Sequence, residues 1–259
     1  MKEELKIFLL QFDLIWEDPS KNRLQITNYL EELSDIDIIL LPELFSTGFS
    51  VSSTHLAEPM DGETVTWMKS ISEKKNAVLC GTVMIKDKGH IYNRLLWVEP
   101  DGKVLYYNKR HLFCLIQEDK YFTSGSERLI LDYKGWKICP MICYDLRFPV
   151  FSRNDVDYDL LLYLSNWPSK RIQAWDILLK ARAIENQSYV IGVNRVGVDG
   201  HEESYPGKSQ VIDPQGEVIC MAPDKEIGSM EFSLFRDYLF TFRKRYPFLS
   251  DRDSFSLHG

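Results

Sequence analysis

The chain has 259 residues, a length that suits one large domain, and its composition of 44% hydrophobic, 13% aromatic and 27% charged residues is typical of globular proteins. Its formal net charge of −7 gives nucleic acids and anionic membranes no general electrostatic reason to bind, so we expect neither as a partner. We interpret the short basic run RKR at 243–245 as a solvated helix end.

We expect no signal peptide or membrane-spanning segment at the start of the given sequence. Its start, MKEELKIFLLQFDL, mixes acidic residues with lysines, and its apolar run is too short for a signal peptide or a membrane span. The five cysteines, at positions 80, 114, 139, 143 and 220, do not resemble a disulfide framework. We therefore predict a cytoplasmic protein with free thiols, and a single domain over residues 1–259.

The first third of the chain predicts the element order β-α-β-α-β. LKIFLLQF is an apolar run of strand length, and PSKNRLQITNYLEEL (19–33) begins with proline and places residues 24, 27, 30 and 33 at helical spacing. DIDIILLPE is a second, nearly continuous apolar run, ETVTWMKSISEKKN favours a helix, and AVLCGTVMI favours a third strand.

Turn residues predict hairpins in the middle of the chain. KDKGH separates strands at 77–85 and 91–98, EPDGK precedes VLYY, and Lys134-Gly135 centres a hairpin within 128–143. YDLLLYLSNWP then predicts a buried strand, SKRIQAWDILLKARAIENQ a long helix and YVIGVNRVG another strand. VIDPQGEVIC and EIGSMEF repeat the hairpin pattern before an aromatic-rich helix that begins at about residue 233.

Two short similarities raise the question of an internal repeat. WVEPDGKV (97–104) resembles VIDPQGEV (211–218), and DIIL (37–40) resembles DLLL (159–162), at offsets of 114 and 122 residues. Similar offsets for two kinds of element indicate two halves, each a layer of strands with helices outside, packed sheet to sheet. Chance similarity of common turn sequences explains the same observation equally well.

Metal and phosphate motifs are missing from the sequence. It contains no CxxC pair and no HExxH, and its five histidines are scattered without the spacing of metal ligands. It also lacks GxGxxG and GxxxxGK[ST], so no nucleotide cofactor gains support. We predict no metal site and no cofactor, which leaves nucleophilic catalysis as the class of chemistry to consider.

Three polar residues follow predicted strands. Glu43 comes after IILLP, Lys109 after KVLYYN, and Cys143 after WKICPMI. In layered α/β proteins, ligands collect where loops converge at the carboxyl ends of strands. A carboxylate directly after a buried strand has its pKa raised by desolvation unless a partner compensates, which suits a general base. Each residue alone is weak support for a site, because buried cysteines and strand-end acids are more often structural.

These three segments resemble the signature of the nitrilase, or carbon–nitrogen hydrolase, superfamily. LLPELF is similar to its glutamate motif, NKRHLF to its lysine motif and CYDLRFP to its cysteine motif, in the same order, and the resemblance covers essentially the whole chain. It implies an α/β fold, a four-layer αββα sandwich, that needs no cofactor. It also implies a homodimer that forms through the surface near the cysteine loop.

The resemblance also implies a role for each motif residue. Cys143 would attack as the thiolate, and Glu43 would take the thiol proton and later deliver it to the departing ammonia. Lys109 would stabilise the tetrahedral oxyanion together with the backbone N–H of Tyr144. Glu118, shortly after the lysine motif, matches a second family glutamate that would orient Lys109 or the substrate amide.

Within the superfamily, KRHLF, ICYDLRFPVFSRN and SNWP together resemble the omega-amidases, which hydrolyse the side amide of 2-oxoglutaramate and 2-oxosuccinamate. The expected partner is therefore a small-molecule amide, cleaved through a thioester on Cys143 to the 2-oxo dicarboxylic acid and ammonia. Asn166 and Trp167 follow a buried strand and are expected to border the substrate pocket. Arg147 and Arg195 are both candidates for binding the substrate carboxylate, and the sequence does not choose between them.

Further residues are expected around this pocket. Phe49 and His111 are predicted to narrow it. Asp145 and Glu185 are predicted to be supporting acids in helix packing or next to the site, with Arg147 and Arg182 as their respective ion-pair partners.

Two alternatives remain at this point. An N-carbamoyl amino acid hydrolase, or another aliphatic amidase or nitrilase, would use the same three residues. A catalytically silent binding or scaffold protein would keep the sandwich without turnover, although it has no need of a buried acid, a cation and a thiol together.

Overall fold

The computed structural model describes residues 2–256, which form two six-stranded sheets, a two-stranded hairpin and five α-helices. The first part of the chain contributes β1 (Glu4–Gln11), α1 (Pro19–Tyr29), β2 (Ile38–Leu40), α2 (Glu63–Lys75), β3 (Val78–Asp87), β4 (His90–Val98) and β5 (Val104–Asn108). The second part contributes α3 (Glu118–Tyr121), β6 (Leu131–Tyr133), β7 (Trp136–Ile142), β8 (Leu160–Leu164), α4 (Ile172–Asn186), β9 (Tyr189–Val193), β10 (Val196–Val198), β11 (Ser204–Pro206), β12 (Gln210–Ile212), β13 (Val218–Met221), β14 (Gly228–Phe235) and α5 (Arg236–Arg245).

The two large sheets share one topology. The first has the order β14-β1-β2-β3-β4-β5 and the second β6-β7-β8-β9-β12-β13, each with three central parallel strands and antiparallel strands at the edges. The β4–β5 and β12–β13 turns close with equivalent hydrogen bonds, from Gly102 N to Glu99 O and from Gly216 N to Asp213 O, both 2.9 Å. The predicted two halves are therefore confirmed.

The layers follow from the alternation of side chains along the strands. Leu5, Ile7 and Leu9 of β1 belong to the apolar core between the sheets, whereas Phe8 and Leu10 pack with the helix layer of α1 and α2. On the other side, α4 covers β9 so closely that a Cβ on Gly192 would lie 2.5 Å from a methyl carbon of Leu179. The result is the expected αββα sandwich.

Helix α1 differs from its predicted pattern. It ends at Tyr29, and Leu24 is 62% exposed, while the buried residues are Asn22 and Ile26. Asn22 tolerates burial because its amide bonds to the backbone of Ile15 and to Ser46 O, at 2.7–2.9 Å. Of the predicted positions, Leu30 and Leu33 are buried with Ile26 in the core next to this helix, whereas the prediction was wrong for Leu24 and for the helix end.

The basic run at 243–245 forms the last residues of α5, as predicted, but only part of it is solvated. Lys244 and Arg245 are exposed. Arg243 is half-buried and bonds to Asp159 at 3.0 Å. None of the helices in residues 2–256 has the length and hydrophobicity required to cross a membrane.

Candidate active site

Loops from both sheets meet at one end of the sandwich and bring the three strand-end residues together. Glu43 lies beyond β2 and Lys109 directly follows β5, both in the first sheet, whereas Cys143 directly follows β7 in the second. Lys109 Nζ lies 2.8 Å from Glu43 Oε1 and 2.9 Å from Glu118 Oε2, and these three side chains are completely buried. These residues, which are far apart along the chain, therefore form one cluster.

The charges of this cluster depend on each other. Burial opposes a charge on Lys109, but the carboxylates of Glu118 and Glu43 outweigh that effect and hold the pKa of the lysine well above its ordinary value. Burial raises the pKa of Glu118, with Lys109 opposing the rise and the negative charge of Glu43 adding to it. Lys109 is therefore a cation at any physiological pH.

Glu43 is fixed on both of its oxygens. Oε1 accepts hydrogen bonds from Asn93 Nδ2 at 2.7 Å and from Lys109, and Oε2 accepts one from the backbone N of Asn166 at 2.9 Å. The side-chain amide of Asn166 in turn donates to Glu43 O at 2.7 Å. Such a network leaves the carboxylate a single orientation, which a proton-transferring group requires. Sequence reasoning did not find Asn93, which is buried within β4.

Cys143 is held in an unusual backbone conformation. Its φ of 41° lies in the left-handed region, which is rare for a residue with a side chain, and it begins a 3-10 helix, Cys143–Arg147. Burial and the negative charge of Glu43 raise the pKa of the thiol well above its ordinary value, although Lys109 opposes the rise. The thiol is therefore protonated at rest and needs a base before it can attack.

A cavity of about 400 Å³ lies next to the cluster, and Cys143 is the residue that connects the two. Cys143 lines this cavity, whereas the buried side chains of Glu43, Lys109 and Glu118 do not. The other predicted pocket residues that line it are Tyr144, Asn166, Trp167, Phe49 and Arg147. A volume of this size suits a small molecule with few non-hydrogen atoms.

Several predictions about neighbouring residues are wrong. His111 does not line this cavity, because its ring bonds to Asp145 at 2.8 Å and stacks on Phe148. Asp145 therefore pairs with His111, and not with Arg147. Arg195 is buried away from the cavity, where it bonds to Asp13 at 2.7 Å.

The expected ion pair between Arg182 and Glu185 is present at 2.9 Å. The cavity also contains residues that sequence reasoning missed, chiefly Phe113, Arg171, Asp199, Glu203 and Tyr205. Phe113 is the last residue of the NKRHLF motif and Arg171 lies shortly after SNWP, so their position in or next to recognised motifs was the available signal. Among residues 2–256, no group of three or more His, Cys, Asp or Glu side chains is arranged to hold a metal ion.

A four-layer sandwich with a thiol beside a buried glutamate–lysine pair is the arrangement of a hydrolase of the nitrilase type. Residues 7–236 match the model of the carbon–nitrogen hydrolase family, and the chain belongs to this family.

Relatives with recorded names are similar over most of the chain. The protein called omega-amidase YafV in Escherichia coli K12 is 43% identical over 253 residues, which cover 98% of each chain. A protein called 2-oxoglutaramate amidase in Bacillus subtilis is 33% identical over 83% of this chain and 85% of its own. A CN-hydrolase superfamily protein from Xanthomonas campestris has a crystal structure with an arsenic adduct in its active site. It is 42% identical to this chain, and the two structures superpose with a TM-score of 0.97 over 99% of this chain and 100% of the other.

Proposed function

We propose that this protein is an omega-amidase, built as a single carbon–nitrogen hydrolase domain. It hydrolyses the side amide of small 2-oxo acid amides, such as 2-oxoglutaramate and 2-oxosuccinamate, to the 2-oxo dicarboxylic acid and ammonia. The observation that carries this proposal is the Cys143 thiol, which faces a small cavity and is influenced by the charges of a buried glutamate–lysine pair. The names omega-amidase and 2-oxoglutaramate amidase among the relatives support the substrate class.

The first half of the reaction forms a thioester. As Cys143 Sγ bonds to the amide carbon, its proton passes to Glu43 and the carbonyl oxygen becomes an oxyanion. The positive charge of Lys109 stabilises that oxyanion together with the N–H of Tyr144, which lies in the first turn of a 3-10 helix, where backbone N–H groups have no acceptor within the helix. Glu43 then protonates the nitrogen, the C–N bond breaks and ammonia leaves.

The second half returns the enzyme to its resting state. Glu43 takes a proton from a water molecule as that water attacks the thioester carbon. The C–S bond breaks, the carboxylic acid leaves and the proton returns from Glu43 to the Cys143 sulfur. Because burial keeps the resting thiol protonated, a general base is required in every turnover. Glu118 keeps Lys109 charged and in place throughout, since two of its oxygens contact the ammonium.

The substrate assignment is tested by measuring ammonia release from 2-oxoglutaramate beside release from an N-carbamoyl amino acid and a simple aliphatic amide. We expect the highest kcat/KM for 2-oxoglutaramate. Activity only on the carbamoyl compound would replace the omega-amidase assignment with that of a carbamoyl amino acid hydrolase. Absence of turnover on all three would favour the catalytically silent alternative.

We also propose a cytoplasmic homodimer that forms through the surface near the cysteine loop. All five cysteines are free, which suits a reducing compartment. Val150, which follows the cysteine loop, and Ile177 and Ile184 of α4 are large apolar side chains that stay exposed in the isolated chain. Light scattering of the eluted protein should therefore give twice the mass of one chain.

A further inference from the structure

Two arginines line the same cavity as Cys143. Arg147 and Arg171 are both half-buried, and their guanidinium carbons each lie 5.0 Å from an aromatic ring, that of Trp167 and that of Phe113 respectively. Contact with the face of an aromatic ring fixes the plane of a guanidinium and leaves its N–H edge free for hydrogen bonds. The cavity therefore has a cationic wall of defined orientation.

These two cations have no carboxylate partner within residues 2–256. Other arginines of the chain, such as Arg94, Arg182 and Arg195, form ion pairs. Half-buried guanidiniums that are left unpaired at a cavity wall are costly unless a ligand supplies the anion.

The acidic residues of the cavity are already engaged elsewhere. Asp199 accepts hydrogen bonds from the backbone N–H groups of His201 and Glu203 at 2.8 and 3.0 Å, and from Tyr205 Oη at 2.8 Å. Glu203 forms an ion pair with Lys170. The charge left without a partner in this cavity is therefore positive, in a protein whose formal net charge is −7.

We infer that Arg147 and Arg171 form the subsite for the carboxylate that the substrate carries at the end opposite its scissile amide. This inference rests on the proposed function and deepens it, because it makes a distal carboxylate a requirement for efficient substrates. A planar guanidinium matches a carboxylate with two parallel N–H···O bonds, so two such groups select a carboxylate over a neutral end group. Arg195, the other sequence candidate, lies outside the cavity.

The short hairpin of β10 and β11 positions Arg171. Arg171 belongs to the 3-10 helix Ser169–Arg171, whose Lys170 pairs with Glu203 and whose Ser169 hydroxyl lies 3.0 Å from the hydroxyl of Ser204. Its carbonyl oxygen accepts a hydrogen bond from Trp167 Nε1 at 2.8 Å. Contacts with the β10–β11 hairpin and with Trp167 thus hold the Arg171 segment of the carboxylate subsite in place.

The test compares 2-oxoglutaramate with 4-oxopentanamide, an amide of the same carbon-chain length that keeps the ketone and has a methyl group in place of the carboxylate. Arg171→Gln should lower the ratio of the two kcat/KM values about 10- to 100-fold, mainly through a higher KM for 2-oxoglutaramate, because a charge-assisted bidentate contact is lost. Arg171→Lys keeps the charge without the fork and should give an intermediate ratio. Arg147→Gln should act in the same direction.

Arg245→Gln is the matched control, since Arg245 is an exposed arginine on α5, and it should leave the ratio unchanged. A variant that fails to fold loses both activities and melts at a lower temperature, whereas loss of the subsite shifts the ratio between them. If the unsubstituted enzyme prefers 2-oxoglutaramate but both glutamine variants keep its ratio, the arginine subsite is wrong and the proposed function stands. If the unsubstituted enzyme prefers 4-oxopentanamide, the proposed function and the subsite are both wrong.

Discussion

Two cysteines of one strand region show how the surroundings of a residue decide its chemistry. Cys139 lies inside β7, where burial raises the pKa of its thiol to about 12 and no acid or base of the cluster contacts it. Cys143 is also buried, but it lies at the end of the strand with a left-handed backbone, borders the cavity and is close to Glu43 and Lys109. Only the second thiol has both a base and access to a substrate.

At this scale we predict that Cys143→Ala abolishes ammonia release while the melting temperature stays nearly unchanged. The substitution removes the nucleophile but little packing, because the thiol borders a cavity. Cys139→Ala is the matched control, which should retain turnover and lose about 1 kcal/mol of stability from the vacated core volume. Mass spectrometry after incubation with substrate should detect an acyl adduct on Cys143; an adduct on any other cysteine would contradict the mechanism.

Residues of the site were predictable where a position at the end of a strand determines their location in the fold. Glu43, Lys109 and Cys143 follow strands, and strand ends meet at the same edge of each sheet. His111 and Arg195 were not predictable, because each side chain turns toward a buried or distant acid, Asp145 or Asp13, that only the tertiary structure brings near. Sequence proximity to a motif says little about the direction of such long or aromatic side chains.

At the scale of elements, Asp145 connects the loop after β5 with the end of β7, which belong to different sheets. Its Oδ1 accepts from the backbone N and the ring Nδ1 of His111 at 3.0 and 2.8 Å, and its Oδ2 accepts from Tyr107 Oη and Ile142 N at 2.7 and 3.0 Å. One buried carboxylate thereby sets the distance between the segment of Lys109 and that of Cys143.

Asp145→Asn should therefore change the relative position of Lys109 and Cys143, although Asp145 itself takes no part in the reaction. An amide has one acceptor oxygen, so its NH2 group would face the donors that now bond to the second carboxylate oxygen. We expect this mismatch to lower kcat 10- to 100-fold and the stability by about 2–3 kcal/mol. Asp132→Asn, at an exposed position on β6, is the control. Kinetics and urea unfolding measure the two effects; an Asp145→Asn enzyme with unaltered kcat would show that this connection does not position the catalytic residues.

Elements with strong apolar or helical patterns were predictable from the sequence, including the three-residue β2, whereas the hairpin of β10 and β11 was not. The runs that became β1, β3, β8 and α4 carry strong apolar patterns or long helical periodicity. β10 and β11 have three residues each and form a separate two-stranded hairpin, with a further bridge from Val196 to Asp13, so no local pattern marks them. Their hairpin nevertheless supplies one wall of the cavity, which explains why that wall was missing from the sequence-based site.

For the whole molecule, the two similar halves contribute different residues to the site. Glu43 and Lys109 come from the first sheet, and Cys143 and Asn166 from the second, so the cluster exists only when the two sheets pack together. Sequence similarity between the halves predicted the sheets and their likeness. It could not predict which strand ends face each other, because that register depends on the side chains packed between the sheets.

At the end of the sandwich where β2 begins, Asp37 joins the two sheets, and it provides a test of their packing. Asp37 is 3% exposed and precedes β2, yet it accepts hydrogen bonds from Lys134 Nζ, in the β6–β7 turn of the other sheet, at 2.6 Å and from Lys2 Nζ and Lys6 N at 2.6–2.8 Å. Burial favours its neutral form, but the bonds to Lys134, Lys2 and Lys6 N prevail and hold the pKa of Asp37 below its ordinary value.

A carboxyl whose pKa is lower in the folded chain binds protons more readily in the unfolded chain. Its contribution to stability is therefore complete above the unfolded pKa of about 3.9 and is lost as the pH falls through the folded value. Asp37→Asn should lower the free energy of unfolding by about 1–2 kcal/mol at pH 7, a modest loss because both lysine partners are partly solvated. That difference should hold from pH 7 down to about 4 and shrink as the pH falls further, through the folded pKa of Asp37, whereas Asp132→Asn should change little at any pH. Urea unfolding across this range measures both variants, and an Asp37→Asn deficit that stays constant with pH would mean that the ionised carboxylate does not hold the sheets together.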